Sequence, residues 1–158
     1  MAQAGHTHLA LDGSALVDAA RKVLSADGEQ WTDMREKVFS VLVESGQPLS
    51  AYEVTERLSA IMKRRIAPNS VYRILDIFVA RNLALRIESR NAFLANAHLG
   101  CVHDCIFMIC EKCGGTEHTD NDKAAGMVRQ AAVEGGFVPH RLVLEVLGLC
   151  RRCRAGPR

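Results

Sequence analysis

Two Cys-x-x-Cys pairs, Cys110–Cys113 and Cys150–Cys153, lie in the last third of a chain of 158 residues. They constrain the fold more than any other feature. A tetrahedral structural zinc takes four ligands, thiolates suit it, and two such turns supply two sulfurs each. Gly114 and Gly115 follow the first pair and let its turn tighten, while Arg151, Arg152 and Arg154 surround the second. Positive charge there favours thiolate and offsets the negative charge of a four-thiolate zinc. Six cysteines would spell disulfides in a small secreted domain. Here the N-terminus has no basic stretch followed by an apolar block, so a reducing cytoplasm and a bound metal are expected. A thiol oxidoreductase is the alternative from another class, but it needs only one such pair.

No apolar run reaches the length of a membrane span. Hydrophobic residues make up 48% and charged residues 24%, the balance of a globular chain. The period of the apolar residues divides it in two. Residues 1–96 read as helices closed by a hairpin. Leu16, Ala19, Ala20, Val23 and Leu24 share a face behind Ser14, and Met34, Val38, Val41 and Leu42 share one between a Thr32 cap and Gly46. Ser50 and Glu53 form a capping box, with Leu49 and Val54 as its staple. Val71, Ile74, Leu75, Phe78 and Val79 stripe the next helix, which starts near Pro68 and ends near Asn82. "LALRIE" and "AFLAN" then alternate as two strands around Ser89-Arg90-Asn91. Helices followed by a hairpin are the order of a winged helix, whose last helix enters the major groove in related helix-turn-helix proteins.

Residues 97–158 change character. "VHDCIFMIC" and "FVPHRLVLEVLGLC" read as strands. "DNDKAAGMVRQAAVEGG" reads as a helix with Ala124, Val128, Ala131 and Ala132 inward. A segment of about 60 residues has a small core and commonly needs a metal or a partner chain. The expected class is therefore α+β: an N-terminal winged-helix DNA-binding domain and a small C-terminal α/β domain with structural zinc.

Net charge is only +2, so charge alone does not point to nucleic acid. Its distribution says more. Arg57, Lys63, Arg64, Arg65 and Arg73 fall in one stretch with no acidic residue between them, a pattern compatible with phosphate binding as well as with a solvated helix end. Ser70, Tyr72 and Arg73 lie off the apolar stripe near the start of their helix, where backbone amides can also hold a phosphate.

A second metal-ligating cluster comprises His98, Cys101, His103, Cys105 and His118. Mixed imidazole and thiolate donors select zinc over harder ions. Drawn from both sides of the domain boundary, such a set suits a sensor. Cys105 packs as a small apolar residue, binds metal or responds to oxidation. His6, His8 and His140 read as ordinary histidines, the first two in a terminal segment.

"TDMREKVFSVL", "SAYEV", "PNSVYRILDIFVARNLALRIES", "FMICEKCG" and "LEVLGLCRRC" together resemble the ferric uptake regulator family, and most closely its zinc-sensing branch, from about Thr32 to Cys153. The resemblance implies a homodimeric, metal-dependent repressor that binds an AT-rich palindromic operator in duplex DNA. It makes the later residues the dimerisation domain. Cys110, Cys113, Cys150 and Cys153 fall on the family's structural zinc. His103 falls on the zinc branch's histidine seven residues before the first structural cysteine, and His118 on a position usually held by glutamate. Tyr52, Tyr72 and Arg73 fall on DNA-contacting positions. Asn96 stands where the zinc branch often has cysteine, and a histidine usual near Leu85 is missing, so Cys101 and His98 are the expected substitutes. Thr32-Asp33-Met34-Arg35 lacks the family's glutamine. The iron branch's His-His-Asp-His run is also absent, which favours zinc over an iron- or peroxide-sensing relative. The expectation is a zinc-responsive repressor of zinc-uptake genes with two zinc sites per subunit. Lys63, Arg64 and Arg65 would add salt-dependent affinity beside Tyr52, Ser70, Tyr72 and Arg73.

Overall fold

The computed structural model describes residues 13–99, 105–140 and 142–156. They fall into two compact units divided between residues 101 and 102. The first holds α1 (Gly13–Ala26), α2 (Asp33–Ser45), β1 (Leu49–Ser50), α3 (Ala51–Met62), α4 (Pro68–Ala80), β2 (Ala84–Ile87) and β3 (Ala92–Ala95). The second holds β4 (Cys105–Cys110), β5 (Thr116–Asp120), α5 (Asp122–Glu134), β6 (Leu144–Gly148) and the single turn α6 (Arg151–Arg154). Among the described residues no helix is long and apolar enough to cross a membrane.

Local chemistry sets the helix ends of the first unit. The Thr32 hydroxyl accepts from the Arg35 amide at 3.3 Å and starts α2, while Gly46 ends it with a φ of 59°. Glycine enters that left-handed conformation without a Cβ clash. Ser50 and Glu53 cap α3 reciprocally: the Glu53 amide donates to Ser50 Oγ at 3.2 Å and the Ser50 amide to Glu53 Oε2 at 2.8 Å. The Ser50 amide is also the first cause that holds the Glu53 carboxyl below the usual carboxylate range. Leu49 and Val54, the expected staple, are both buried. Ser14 lies inside α1, not before it.

The stripes of the helices meet in one core. Phe39 of α2 and Phe78 of α4 are fully buried and cross edge to face, with ring centroids 5.5 Å apart. Trp31 stacks on Phe78 at 6.1 Å, and its indole N–H donates to Glu36 Oε2 at 2.8 Å. Arg21 pairs with the same oxygen and ties α1 to α2. The sequence pattern does not single out Trp31, because an isolated aromatic in a loop has no period. The hairpin β2–β3 is antiparallel, with Ala84 opposite Ala95 and Ile87 opposite Ala92. The two-residue β1 pairs with the other edge of β3. The resulting sheet, ordered β1-β3-β2, completes a winged helix with α2, α3 and α4.

In the second unit the order is β5-β4-β6, with β5 antiparallel to β4 and β6 parallel to it. A parallel return needs a crossover, and α5 supplies it. Three expectations change here. The strand β5, which carries His118, is additional to the sequence reading: Thr-Glu-His-Thr-Asp has no apolar alternation because it is an edge strand. The final strand begins only at Leu144, since Pro139 interrupts the segment before it. The buried face of α5 is centred on Ala125, whereas Val128 and Ala131 are exposed.

Truncating an aromatic that anchors two helices leaves a cavity as well as a transfer loss. Phe78→Ala is expected to destabilise the first unit by about 3–5 kcal/mol, read as a lowered urea midpoint by circular dichroism. Ser50→Ala should cost about 1 kcal/mol in the same assay.

Candidate metal centre and nucleic-acid face

The four cysteines of the two pairs come together because β4 and β6 are parallel neighbours. Cys110 ends β4 opposite Gly148 of β6, and Cys150 follows two residues later. The Cys110 amide donates to the Gly115 carbonyl at 2.9 Å, and the Gly114 amide to the Cys110 carbonyl at 2.8 Å. This closes the tight turn into β5 that holds Cys113. Gly114 sits at a φ of 73°, and a Cβ on Gly115 would stand 3.3 Å from Cys113 Sγ. Both glycines thus serve the turn, one through its backbone and one through the space it leaves. The Glu111 amide donates to the Gly148 carbonyl at 2.9 Å and pins the first turn to the end of β6.

The four sulfurs all lie within 4.8 Å of one another. Four thiolates about 2.3 Å from a tetrahedral centre would stand roughly 3.8 Å apart. Cys113 Sγ and Cys150 Sγ are separated by 3.9 Å, so the set fits zinc. Among the described residues this is the one cluster of such donors. Cys110 is buried, Cys150 and Cys153 are half-buried, and Cys113 is exposed. The exposed edge is where the Arg152 guanidinium reaches Cys113 Sγ, at 3.9 Å.

Backbone amides already favour two of the thiolates. Cys110 is lowered from 9.0 to about 6, first by the amide of Cys150 and then by that of Cys113. Cys113 is lowered as well, chiefly by the Gly115 amide. Cys153 is pushed up to about 12, first by its hydrogen bond with the Cys150 thiol and then by burial. Four thiolates this close repel one another, so protons remain on part of the set unless a cation takes their place.

The second candidate set divides differently. Cys101 and His103 lie outside the described residues, as do His6, His8 and the side chain of Cys105. His98 is half-buried beyond β3, and its amide donates to Asn96 Oδ1 at 3.0 Å. Asn96 itself is buried, and its Nδ2 donates to the Asn82 carbonyl at 2.8 Å. At this position asparagine acts as a structural bracket for the end of the wing. His118 sits on β5 opposite Phe107, ring centroids 5.7 Å apart.

On the first unit, Ser70 and Arg73 project exposed from the first turns of α4. Tyr72 is half-buried and meets the exposed Tyr52 of α3 edge to face, centroids 6.2 Å apart. Pro68 occupies the first turn of α4, and Ala67 before it offers no side-chain cap. Lys63, Arg64 and Arg65 are all exposed between α3 and α4. Lys63 caps α3 in the left-handed conformation, at a φ of 50°. Apolar packing orients the opposite face of α4 inward, through Val71, Leu75 and Phe78. That leaves the Ser70–Arg73 side outward.

The lowered Cys110 thiol gives a pH dependence of definite sign. Its thiolate persists above about 6 and is lost as pH falls through that value. Affinity for zinc is therefore expected to fall more steeply on acidification below about 6, where the metal-free centre holds one more proton, in a competition titration with a chromogenic chelator. Cys110→Ser should abolish stoichiometric zinc and remove the protease resistance of the second unit, since binding free energy in such sites is folding free energy.

Comparison with known proteins agrees with this architecture. Residues 26–147 match the model of the ferric uptake regulator family. A ferric uptake regulation protein from Staphylococcus epidermidis is 26% identical over 138 residues, covering 85% of this chain and 94% of that protein. The structure of holo XcZur is 30% identical, covers 91% of this chain and 100% of that one, and superposes with a TM-score of 0.77. A zinc uptake regulator solved with zinc and DNA shares the fold, with a TM-score of 0.82 at 23% identity over 89% of this chain and 93% of that one. With the winged helix, the sheet carrying four convergent cysteines and a family match over most of its length, the chain belongs to the ferric uptake regulator family.

Proposed function

We propose that this chain is a zinc-responsive, DNA-binding transcriptional repressor that works as a homodimer and governs zinc-uptake genes. The observation that carries the reading is the convergence of four sulfurs within 4.8 Å in a chain that also presents a winged helix. Its likeness to XcZur supports the zinc branch. The likeness to a zinc uptake regulator solved with zinc and DNA supports the fold on which the reading depends.

Cys110, Cys113, Cys150 and Cys153 would hold the structural zinc, which supplies a tetrahedral cross-link between the ends of β4 and β6 when bound. His103, His118, Cys101 and His98 are the proposed donors for a second, exchangeable zinc. In sequence they straddle the division between the units, so ligation there would link metal status to the half that carries α4. Met108, Val146 and Leu147 on the second sheet and Met127 on α5 are exposed in the single chain. Apolar side chains of that number on a small unit fit a subunit interface.

For DNA, the proposed contacts fall into two groups. Arg73, Ser70, Tyr72 and Tyr52 sit on the outward side of α4 and its neighbour, where base edges and nearby phosphates are read. Lys63, Arg64 and Arg65 supply charge to the phosphate backbone. Two dimer-related winged helices would meet half-sites about one helical turn apart, hence a palindromic operator; the family resemblance implies that it is AT-rich, and the cytoplasm is its expected place. A thiol oxidoreductase fits less well, because such chemistry needs one accessible pair, whereas here Cys110 is buried among three other sulfurs.

A mobility-shift assay on an AT-rich palindrome tests the reading. Retardation is expected with zinc, to be lost with a chelator of the exchangeable metal, and not to be restored by ferrous iron. Equal retardation in all three conditions would remove the switch. Replacing Lys63, Arg64 and Arg65 with alanine should flatten the salt dependence of binding, by about 0.9 in the log–log slope for each phosphate that is no longer neutralised. Arg73→Ala should instead weaken the operator more than random duplex.

A further inference from the structure

We propose that Arg152 is a positioning residue for the four-cysteine centre, which braces the Cys113 sulfur from outside and slows both the loss of the metal and attack on that sulfur. The inference rests on the zinc reading above and adds to it a residue with a kinetic role. Of the four donors, Cys113 alone is exposed. Cys110 is buried at the end of β4, and Cys150 and Cys153 are half-buried. A ligand exchange or an electrophile would therefore begin at Cys113, the one sulfur that solvent reaches freely.

Arg152 is placed to oppose this. Its Nη2 donates to Cys113 Sγ across 3.9 Å, from the turn between the two cysteines of the other pair. Residues far apart in sequence thus share one sulfur: the guanidinium arrives on α6 while the thiolate arrives on the turn after β4. The α6 turn is fixed by the Arg154 amide, which donates to the Cys150 carbonyl at 2.9 Å, so the approach of Arg152 is set by the same backbone that presents Cys150 and Cys153.

The charge balance gives this hydrogen bond its effect. A divalent ion with four thiolates carries two formal negative charges. A donor to one thiolate withdraws electron density from it, and a charged donor does so more strongly than a neutral one. Outer interactions of this kind tune metal sites as well as orient them. Because Arg152 is itself exposed, solvent and salt screen the pairing, and its expected effect is moderate.

Three variants of the full chain, each loaded with one zinc per structural site, separate this role from general charge. They are Arg152→Gln, Arg152→Lys and Arg151→Gln, the last removing an exposed arginine from the same short helix. Zinc transfer to a chromogenic chelator is measured at low salt and at about 1 M salt. N-ethylmaleimide labelling of Cys113 is followed by peptide mass spectrometry. Arg152→Gln is expected to release zinc and label Cys113 about two- to five-fold faster than wild type at low salt, the range open to an exposed charge pairing. Arg152→Lys should fall between, keeping the charge without the planar fork. Arg151→Gln should match wild type, and high salt should bring all rates together. Identical rates for wild type and Arg152→Gln at low salt would overturn the proposal, as would equal acceleration by Arg151→Gln. A wild-type chain that binds no zinc would overturn the zinc reading as well, so the two failures are told apart by metal content alone.

Discussion

Everything in the second unit depends on the repulsion among four sulfurs that the fold crowds together. Parallel pairing of β4 with β6 brings Cys110 and the Cys150 turn to the same end of the sheet. Backbone amides then favour thiolate on Cys110 and Cys113. A sheet of three strands with one crossover helix cannot bury enough apolar surface to hold such charges against each other without help. Ala125 is the one buried residue of α5, and the helix leaves Met127, Val128 and Val133 outside. The core of the unit is correspondingly small, with Phe107, Ile109, Cys110 and Ala125 its buried residues among those described.

The first unit depends on the opposite condition. Its core is apolar, with Phe39, Phe78 and Trp31 packed together, and Thr32 and Gly46 close the ends of α2 while Ser50 and Glu53 cap the start of α3. The four-cysteine centre, by contrast, lies wholly within the second unit. Asn96 and His98 mark the end of the first unit: the asparagine side chain links the close of α4 to the residues beyond the wing.

Much of this is legible in the sequence, for reasons that differ by element. The four long helices of the first half announce themselves through apolar spacing, and the Ser50–Glu53 box through the chemistry of its two residues. The four cysteines are legible because spacing and residue type together admit few other uses. The features that the sequence hides lack a local signal. The edge strand β5 is polar throughout, and only its pairing with β4 makes it a strand. The inward face of α5 shifts by one residue because alanines on every side blur its period. The choice of Arg152 over Arg151 and Arg154 as the neighbour of Cys113 depends on the direction in which α6 turns, which adjacent arginines in a row do not reveal. The proposed second set, His98, Cys101, His103 and His118, has no comparable signal, since its residues are joined by no fixed spacing.

Lys63 carries a consequence of its own. It holds a left-handed φ of 50° at the end of α3, a conformation in which most side chains are strained and glycine is not. Its neighbours Arg64 and Arg65 extend the same cationic corner. A glycine there would relax the turn and delete a charge, so thermal resistance and grip on a polyanion would move in opposite directions. The backbone of this corner thus carries a small conformational penalty that a glycine would not.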